Sequence, residues 1–168
     1  MSERIWKSLI CWMAVLGPMI WNALGCRTSE TGRMPDHTVA PFARTKGSGY
    51  RVSKVGESGY ELCHCVQLEL TDKVPMGAYV EARFENPVDP NNPLVVGRRL
   101  TEADRSVLLQ SPPLAQAKER DYGVEILIYS DEEKTKQLGH HSQQSRCRVD
   151  MDRDKTFMEV FRRLAVKH

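Results

Sequence analysis

Two cysteines flank a histidine in Cys63-His64-Cys65, and these residue types can bind metals or exchange electrons. On a β-strand, residues i and i+2 project to the same face about 7 Å apart, because each residue rises ~3.3 Å. Thiolates at that spacing suit a soft ion such as Cu(I) or Zn²⁺, or a redox pair. Such a site needs further ligands, and the chain offers either Cys147 or the pair His140 and His141.

The strand register argues against a single site that contains all of these ligands. Alternation of apolar and polar residues over 60–70 puts Cys63 and Cys65 on the polar face of a strand, whereas Cys147 falls on an inner face. Residues on opposite faces cannot share a tetrahedral ion unless a bulge turns one of them round.

Other interpretations of the same residues stay open. A histidine on an apolar face, as His64 is here, is typical of a hydrogen-bonded core residue. An oxidising compartment would favour a structural disulfide from Cys147 to Cys63 or Cys65. Otherwise the three cysteines are passive, and their odd number leaves at least one unpaired.

No group of residues suggests catalysis. The acidic residues are scattered through strand faces and turns, and none of the common nucleophile, phosphate-binding, zinc-protease or dinucleotide motifs is present. The pair His140-His141 follows Gly139 in a polar stretch and is typical of a solvated turn. We therefore expect a protein that is not an enzyme and needs no cofactor.

The N-terminal residues have the pattern of a targeting segment. Arg4 and Lys7 precede an uncharged, largely apolar run over 9–21, which is too short for a bilayer span of ~20 residues and suits a signal peptide. Small residues follow and end in the sequence Ala-Leu-Gly-Cys, with the cysteine at Cys26. This ending resembles the lipobox of bacterial lipoproteins.

The resemblance implies cleavage before Cys26 and attachment of diacylglycerol and palmitate to that residue. Several acyl chains, at ~0.8 kcal/mol per buried methylene, would anchor the protein to a lipid bilayer in the cell envelope, at the outer membrane or the periplasmic face. A plain N-terminal anchor or an ordinary secretory signal are the alternatives. Processing at Cys26 would remove every tryptophan in the chain, namely Trp6, Trp12 and Trp21.

Composition indicates one globular domain after this segment. The chain has 168 residues, of which 40% are hydrophobic and 27% charged, with a formal net charge of +2. A nearly neutral chain without a basic cluster is not typical of nucleic-acid binding. We divide it into a signal peptide over 1–25, a flexible tether over 26–58 and a β-sandwich domain over 59–168. The tether is rich in Ser, Thr, Gly and Pro, and a short strand over 50–55 is an alternative within it.

Period-2 alternation predicts strands over 60–70 and 78–86, which a short turn would join into an antiparallel hairpin or meander with Arg83 facing the glutamates of the first strand. Residues 94–100 predict another strand, in which Gly97 indicates a bulge or a close contact. Residues 102–109 suit a short helix behind a capping box at 101–104, and a strand over 106–111 is the alternative.

The clearest buried strand covers 123–131, and an outer strand is predicted over 140–150. Phe157, Val160, Phe161 and Leu164 recur at helical spacing, which predicts an amphipathic helix over 154–166 with Asp152 or Asp154 as its cap. A strand is the alternative there. At least five strands and at most two short helices predict a mainly β protein, an antiparallel β-sandwich.

The stretch from Leu114 to Tyr129 resembles one corner of fibronectin type III and other immunoglobulin-like domains. Tyr122 then takes the place of the conserved corner tyrosine. The resemblance implies an immunoglobulin-like architecture and no activity.

The expected function is that of a lipoprotein whose small sandwich contacts another envelope protein, with the bilayer as its second partner and no nucleic acid. The alternative is a periplasmic metal-binding or thiol-redox lipoprotein that uses Cys63 and Cys65.

Overall fold

Strands form where apolar and polar side chains alternate, and two sheets face each other across the apolar sides. A computed structural model describes residues 38–39 and 42–165. It contains eight strands and one helix: β1 Thr38–Val39, β2 Ala43–Val55, β3 Gly59–Leu70, β4 Tyr79–Phe84, β5 Leu94–Arg99, β6 Ser106–Gln110, β7 Asp121–Tyr129, β8 Gln137–Arg146 and α1 Phe157–Ala165. The first sheet has the order β1-β2-β3-β6 and the second β5-β4-β7-β8, and all pairs are antiparallel. The predicted mainly β sandwich with a C-terminal helix is confirmed.

The core lies between the central strands of the two sheets. Alternate residues of β3, β4 and β7 point inward and are almost completely buried; they include Val66, Leu68, Val80, Ala82, Phe84, Val124, Ile126 and Ile128. A second apolar cluster lies at one end and joins Leu62, Tyr122, Cys147 and Val149 to Val160 of the helix. Complete burial of one aliphatic side chain is worth roughly 1.5–3 kcal/mol, so these two clusters hold the sheets together.

The first sheet includes residues that the sequence assigned to the tether. Residues 43–55 form β2, which pairs with β3 from Ala43 opposite Leu70 to Val55 opposite Gly59. The strand over 50–55 is thus part of a longer one, and the folded region begins before residue 59. A bulge between Thr45 and Gly47 shifts the alternation, and several inward positions are polar. The sequence pattern therefore did not predict the full length of this strand. Cys26, the signal segment and tether residues 26–37 lie outside the described residues.

The predicted hairpin between the strands over 60–70 and 78–86 is wrong. β3 pairs with β2 and β6, whereas β4 pairs with β5 and β7, so the connection between β3 and β4 crosses from one sheet to the other. Alternation shows which face of a strand is buried but does not identify its neighbour. Arg83 accordingly contacts Glu81 of its own strand rather than β3.

Residues 101–104 form a turn, and the helix predicted over 102–109 is absent. The carboxylate of Asp104 accepts hydrogen bonds from the backbone nitrogen and the hydroxyl of Thr101, both at 2.8 Å. The capping pattern therefore closes a turn that leads into strand β6. The strand alternative for this segment is confirmed.

The helix α1 is capped by a residue that the sequence analysis did not select. Thr156 and Glu159 form a reciprocal capping box, with the backbone nitrogen of Thr156 2.8 Å from the Glu159 carboxylate. Asp154 instead accepts from the backbone nitrogen of Asp150 and pairs with Arg163. Within the part of the chain that the structure describes, no helix is long and apolar enough to cross a bilayer.

The corner tyrosine is formed as the sequence resemblance implies. The Tyr122 hydroxyl accepts a hydrogen bond at 2.8 Å from the backbone nitrogen of Lys118, four residues earlier. The guanidinium of Arg120 lies 3.9 Å above the ring. These contacts fix the loop that brings the chain into β7.

Tyr122→Phe should lower the free energy of unfolding by about 1 kcal/mol, because it removes one buried hydrogen bond and leaves the ring in place. The midpoint of urea unfolding measures this effect. Tyr129→Phe is the matched control, since the hydroxyl of Tyr129 makes no hydrogen bond to the described residues. Equal midpoints for both variants would contradict the role of the corner.

Candidate functional site

The structure separates the cysteines and histidines that the sequence proposed as ligands. Cys147 belongs to the apolar cluster beside the helix, whereas Cys63 and Cys65 alternate with the core residues of β3 and belong to neither cluster. The described residues contain no group of three or more metal-ligating side chains, and His140 and His141 do not complete one. Among the described residues, a metal site of Cys63 and Cys65 completed by Cys147 or by His140 and His141 is therefore not formed, because these residues lie on different faces and strands.

No disulfide joins Cys147 to Cys63 or Cys65 among the described residues. All three side chains are nonetheless buried, so the strand face that carries Cys63 and Cys65 is covered at these two positions, although the sequence assigned it as the polar face. Burial raises the pKa of Cys147 to about 11 and also raises the pKa of Cys63. At neutral pH Cys63 and Cys147 are protonated thiols, which are poor nucleophiles and poor metal ligands.

His64 is buried in the core, as one interpretation of the sequence expected, but neither of its ring nitrogens has the expected hydrogen bond to a described residue. The residue is 1% exposed, and its ring stacks on the ring of Tyr50 with the centroids 4.7 Å apart. It also packs at a tilt against the ring of Phe84, with the centroids 5.0 Å apart. Burial lowers the pKa of His64 to about 4, and the nearby carboxylate of Glu85 opposes this shift without reversing it. The imidazole is therefore neutral at physiological pH.

The outer face of the second sheet carries an ordered group of polar side chains. Glu81 is on this face of β4, yet it is only 1% exposed. Arg83 donates a hydrogen bond to one carboxylate oxygen at 2.7 Å, and Lys134 donates to the other. The amine of Lys134 also lies 5.6 Å and 5.9 Å from the ring centres of Tyr79 and Tyr129. We name these five residues the Glu81 cluster.

The loop between β7 and β8 delivers Lys134 to this cluster. Lys134 has a φ of 57°, in the left-handed region that non-glycine residues seldom adopt. The carboxylate of Asp131 holds the loop by accepting from the backbone nitrogen of Thr135 at 3.0 Å and from the hydroxyl of Ser130 at 2.7 Å. The backbone is thus fixed in the conformation that directs the amine across the sheet.

Electrostatics keep the Glu81 cluster ionised. Burial alone would raise the pKa of Glu81, but the hydrogen bonds from Lys134 and Arg83 outweigh it and the pKa lies below its usual value. The same carboxylate raises the pKa of Lys134 and of Arg83. A buried carboxylate with two cations is stable in this form because each charge has a partner.

Gly97 makes room for the cluster, which confirms the close contact expected there. It lies opposite Glu81 in the register of β4 and β5. A Cβ atom at this position would overlap the hydroxyl and ring of Tyr79, which lies across the glycine. The sequence indicated the glycine but not Lys134, which is 53 residues from Glu81 along the chain.

Acidification should destabilise the protein through His64. Between pH 6.5 and about 4 the unfolded histidine binds a proton that the folded one does not, so stability is fully present above 6.5 and falls as the pH falls. The loss by pH 4 is about 3 kcal/mol. His64→Phe should remove this part of the pH dependence in urea unfolding at pH 7, 5.5 and 4. His140→Phe, at an exposed position, should retain it, and equal slopes for the two variants would refute the prediction.

Gly97→Val should lower the free energy of unfolding by about 1–3 kcal/mol, because the new side chain displaces Tyr79 from the sheet. Adding Tyr79→Ala should cost less than the sum of the two single changes, as expected for residues in contact. Urea unfolding of the four proteins measures the coupling. The control is Gly49→Val, since a side chain on Gly49 meets no atom within 4 Å. Strict additivity at Gly97 and Tyr79 would show that their contact is not formed.

Comparison with known proteins finds no relative of this chain. No protein-family model matches the chain, and no curated protein or solved structure matches it significantly. Function must therefore be inferred from the chain's own residues.

Proposed function

We propose that this protein is a bacterial lipoprotein, anchored through acylated Cys26, whose β-sandwich binds another envelope protein without catalysing a reaction. The basic N-terminal residues, the apolar run over 9–21 and the Gly-Cys ending support the anchor. Eleven residues, 27–37, separate Cys26 from β1, and they span at most roughly 40 Å. The sandwich would then work close to the bilayer surface, at the outer membrane or the periplasmic face.

The observation that carries the binding function is the composition and order of the outer face of the second sheet. Tyr79 and Arg83 of the Glu81 cluster are partly exposed there, Tyr129 lies mostly buried beside Tyr79, and Arg99 pairs with Tyr79 across β4 and β5. Tyrosine and arginine are the residues most often responsible for affinity at protein interfaces, because they combine contact area with hydrogen-bonding groups.

These side chains are already held in place, which reduces the entropy lost on binding. Gly97 accepts the ring of Tyr79, and Glu81 positions both Lys134 and Arg83. Val95 is 51% exposed on the same face and adds apolar surface next to these polar groups. A partner that covers this face therefore meets an ordered surface and not a set of mobile side chains.

The anchor is tested by fractionating bacteria that produce the full chain. The wild-type protein and Cys11→Ser should be found with the membranes and incorporate labelled palmitate. Cys26→Ser should lose both the label and the cleavage before residue 26. Cys11 is the matched control because it is the other cysteine of the N-terminal segment. Palmitate incorporation that survives Cys26→Ser would rule out the proposed anchor.

The binding face is tested with a photoreactive phenylalanine analogue introduced into the full chain in its own cells. At position 95 it should form one adduct of defined mass that saturates with expression and is lost on Arg99→Glu. At position 88, which is 56% exposed in the turn between β4 and β5, it should not. Equal adducts at both positions, or an adduct at 95 insensitive to Arg99→Glu, would refute binding at this face.

A further inference from the structure

A row of polar side chains runs through the interior of the sandwich where β2 approaches β8. We call it the polar seam, and it consists of Thr45, Ser48, Tyr50, His64, Gln143 and Ser145. The hydroxyl groups of Ser48 and Ser145 contact each other across the two sheets, which places β2 directly against β8. His64 joins the seam through its stacking contact with Tyr50.

Most of these buried polar atoms have no hydrogen-bond partner. Among the described residues the unpartnered atoms include the hydroxyls of Thr45 and Tyr50, both ring nitrogens of His64 and both amide atoms of Gln143. Folded proteins rarely leave such atoms unpaired, because each loses its hydrogen bonds to water on folding. Six of them together would cost a large part of the free energy that stabilises a small domain.

The side chains as they are placed do not satisfy one another. The rings of His64 and Tyr50 are 15° from parallel, so their faces meet, while the atoms that form hydrogen bonds lie at the ring edges. Gln143 pairs across the second sheet with Val124, whose other neighbour is Phe84, and neither offers a polar side chain. The seam therefore has unmet donors and acceptors at fixed positions.

The chemistry of the polar seam favours an uncharged ligand. His64 is neutral and so offers one donor and one acceptor, and the amide and hydroxyl groups of the seam are also neutral. Glu85 is the one ionised group that acts on both His64 and Tyr50, and it is occupied by Arg120 at 2.7 Å and by the backbone nitrogen of Gly123 at 2.8 Å. An ion would find no free counter-charge there, whereas a molecule that both donates and accepts would be held.

We propose that the polar seam is a binding site for ordered internal water molecules, which hydrogen-bond to His64, Tyr50 and Gln143. Water is the smallest uncharged molecule that both donates and accepts, and buried waters typically make about three hydrogen bonds to groups of this kind. The bound water completes the interface between β2 and β8, where apolar packing is replaced by hydrogen bonding.

Two measurements on the full chain test the proposal. Oxygen-17 magnetic relaxation dispersion detects waters that stay in a protein for longer than its tumbling time. The wild-type protein should contain such waters, and Gln143→Leu and His64→Phe should each reduce their number. The matched controls Gln144→Leu and His140→Phe, at exposed positions of β8, should not.

A crystal structure at a resolution that shows ordered solvent tests the same claim without any variant. Density peaks should lie within about 3 Å of the ring nitrogens of His64 and of the Gln143 amide. Direct pairing of these atoms with each other would overturn the proposal. So would wild-type relaxation dispersion with no long-lived water, or the same signal in Gln143→Leu and His64→Phe as in the wild-type protein.

Discussion

Burial of the inward faces of β3, β4 and β7 against one another determines how the side chains of the two sheets are oriented. Their apolar side chains close the space between two sheets that share no strand pairing, so side-chain packing, with the Ser48–Ser145 hydroxyl contact beside it, holds the sheets face to face. Because side chains alternate along each strand, fixing the inward set also fixes the outward set. Tyr79, Glu81 and Arg83 are therefore presented together on the opposite face of β4.

The two polar groupings of the molecule solve the problem of burying polar atoms in different ways. In the Glu81 cluster, both carboxylate oxygens have a cationic partner whose side chain still reaches solvent. In the polar seam, the groups are neutral and several lack a partner from the chain. The Glu81 cluster is complete without a ligand and presents an ordered surface. The polar seam requires a bound ligand to complete its hydrogen bonds. This difference is why we assign protein binding to the outer face and water to the interior.

The sequence predicts most of the strands and little of what lies between them. The strands β3, β4 and β7 can be predicted because their apolar and polar residues alternate regularly. The corner position of Tyr122 can be predicted from its spacing within its own loop. The full length of β2 cannot be predicted, since its inward positions are polar and a bulge shifts its phase. Local sequence patterns also do not predict which strands pair, as the wrong hairpin between β3 and β4 shows. The pairing of Glu81 with Lys134 could not be anticipated, because a left-handed residue in a distant loop creates it.

The central claim is that a lipid on Cys26 holds this sandwich at a membrane, and the intact mass of the native protein tests it most directly. We expect a chain that begins at Cys26, carries the added mass of diacylglycerol and a further acyl chain, and shows tyrosine but no tryptophan fluorescence. A chain that retains its first 25 residues, fluoresces from tryptophan and lacks acyl mass would contradict the account.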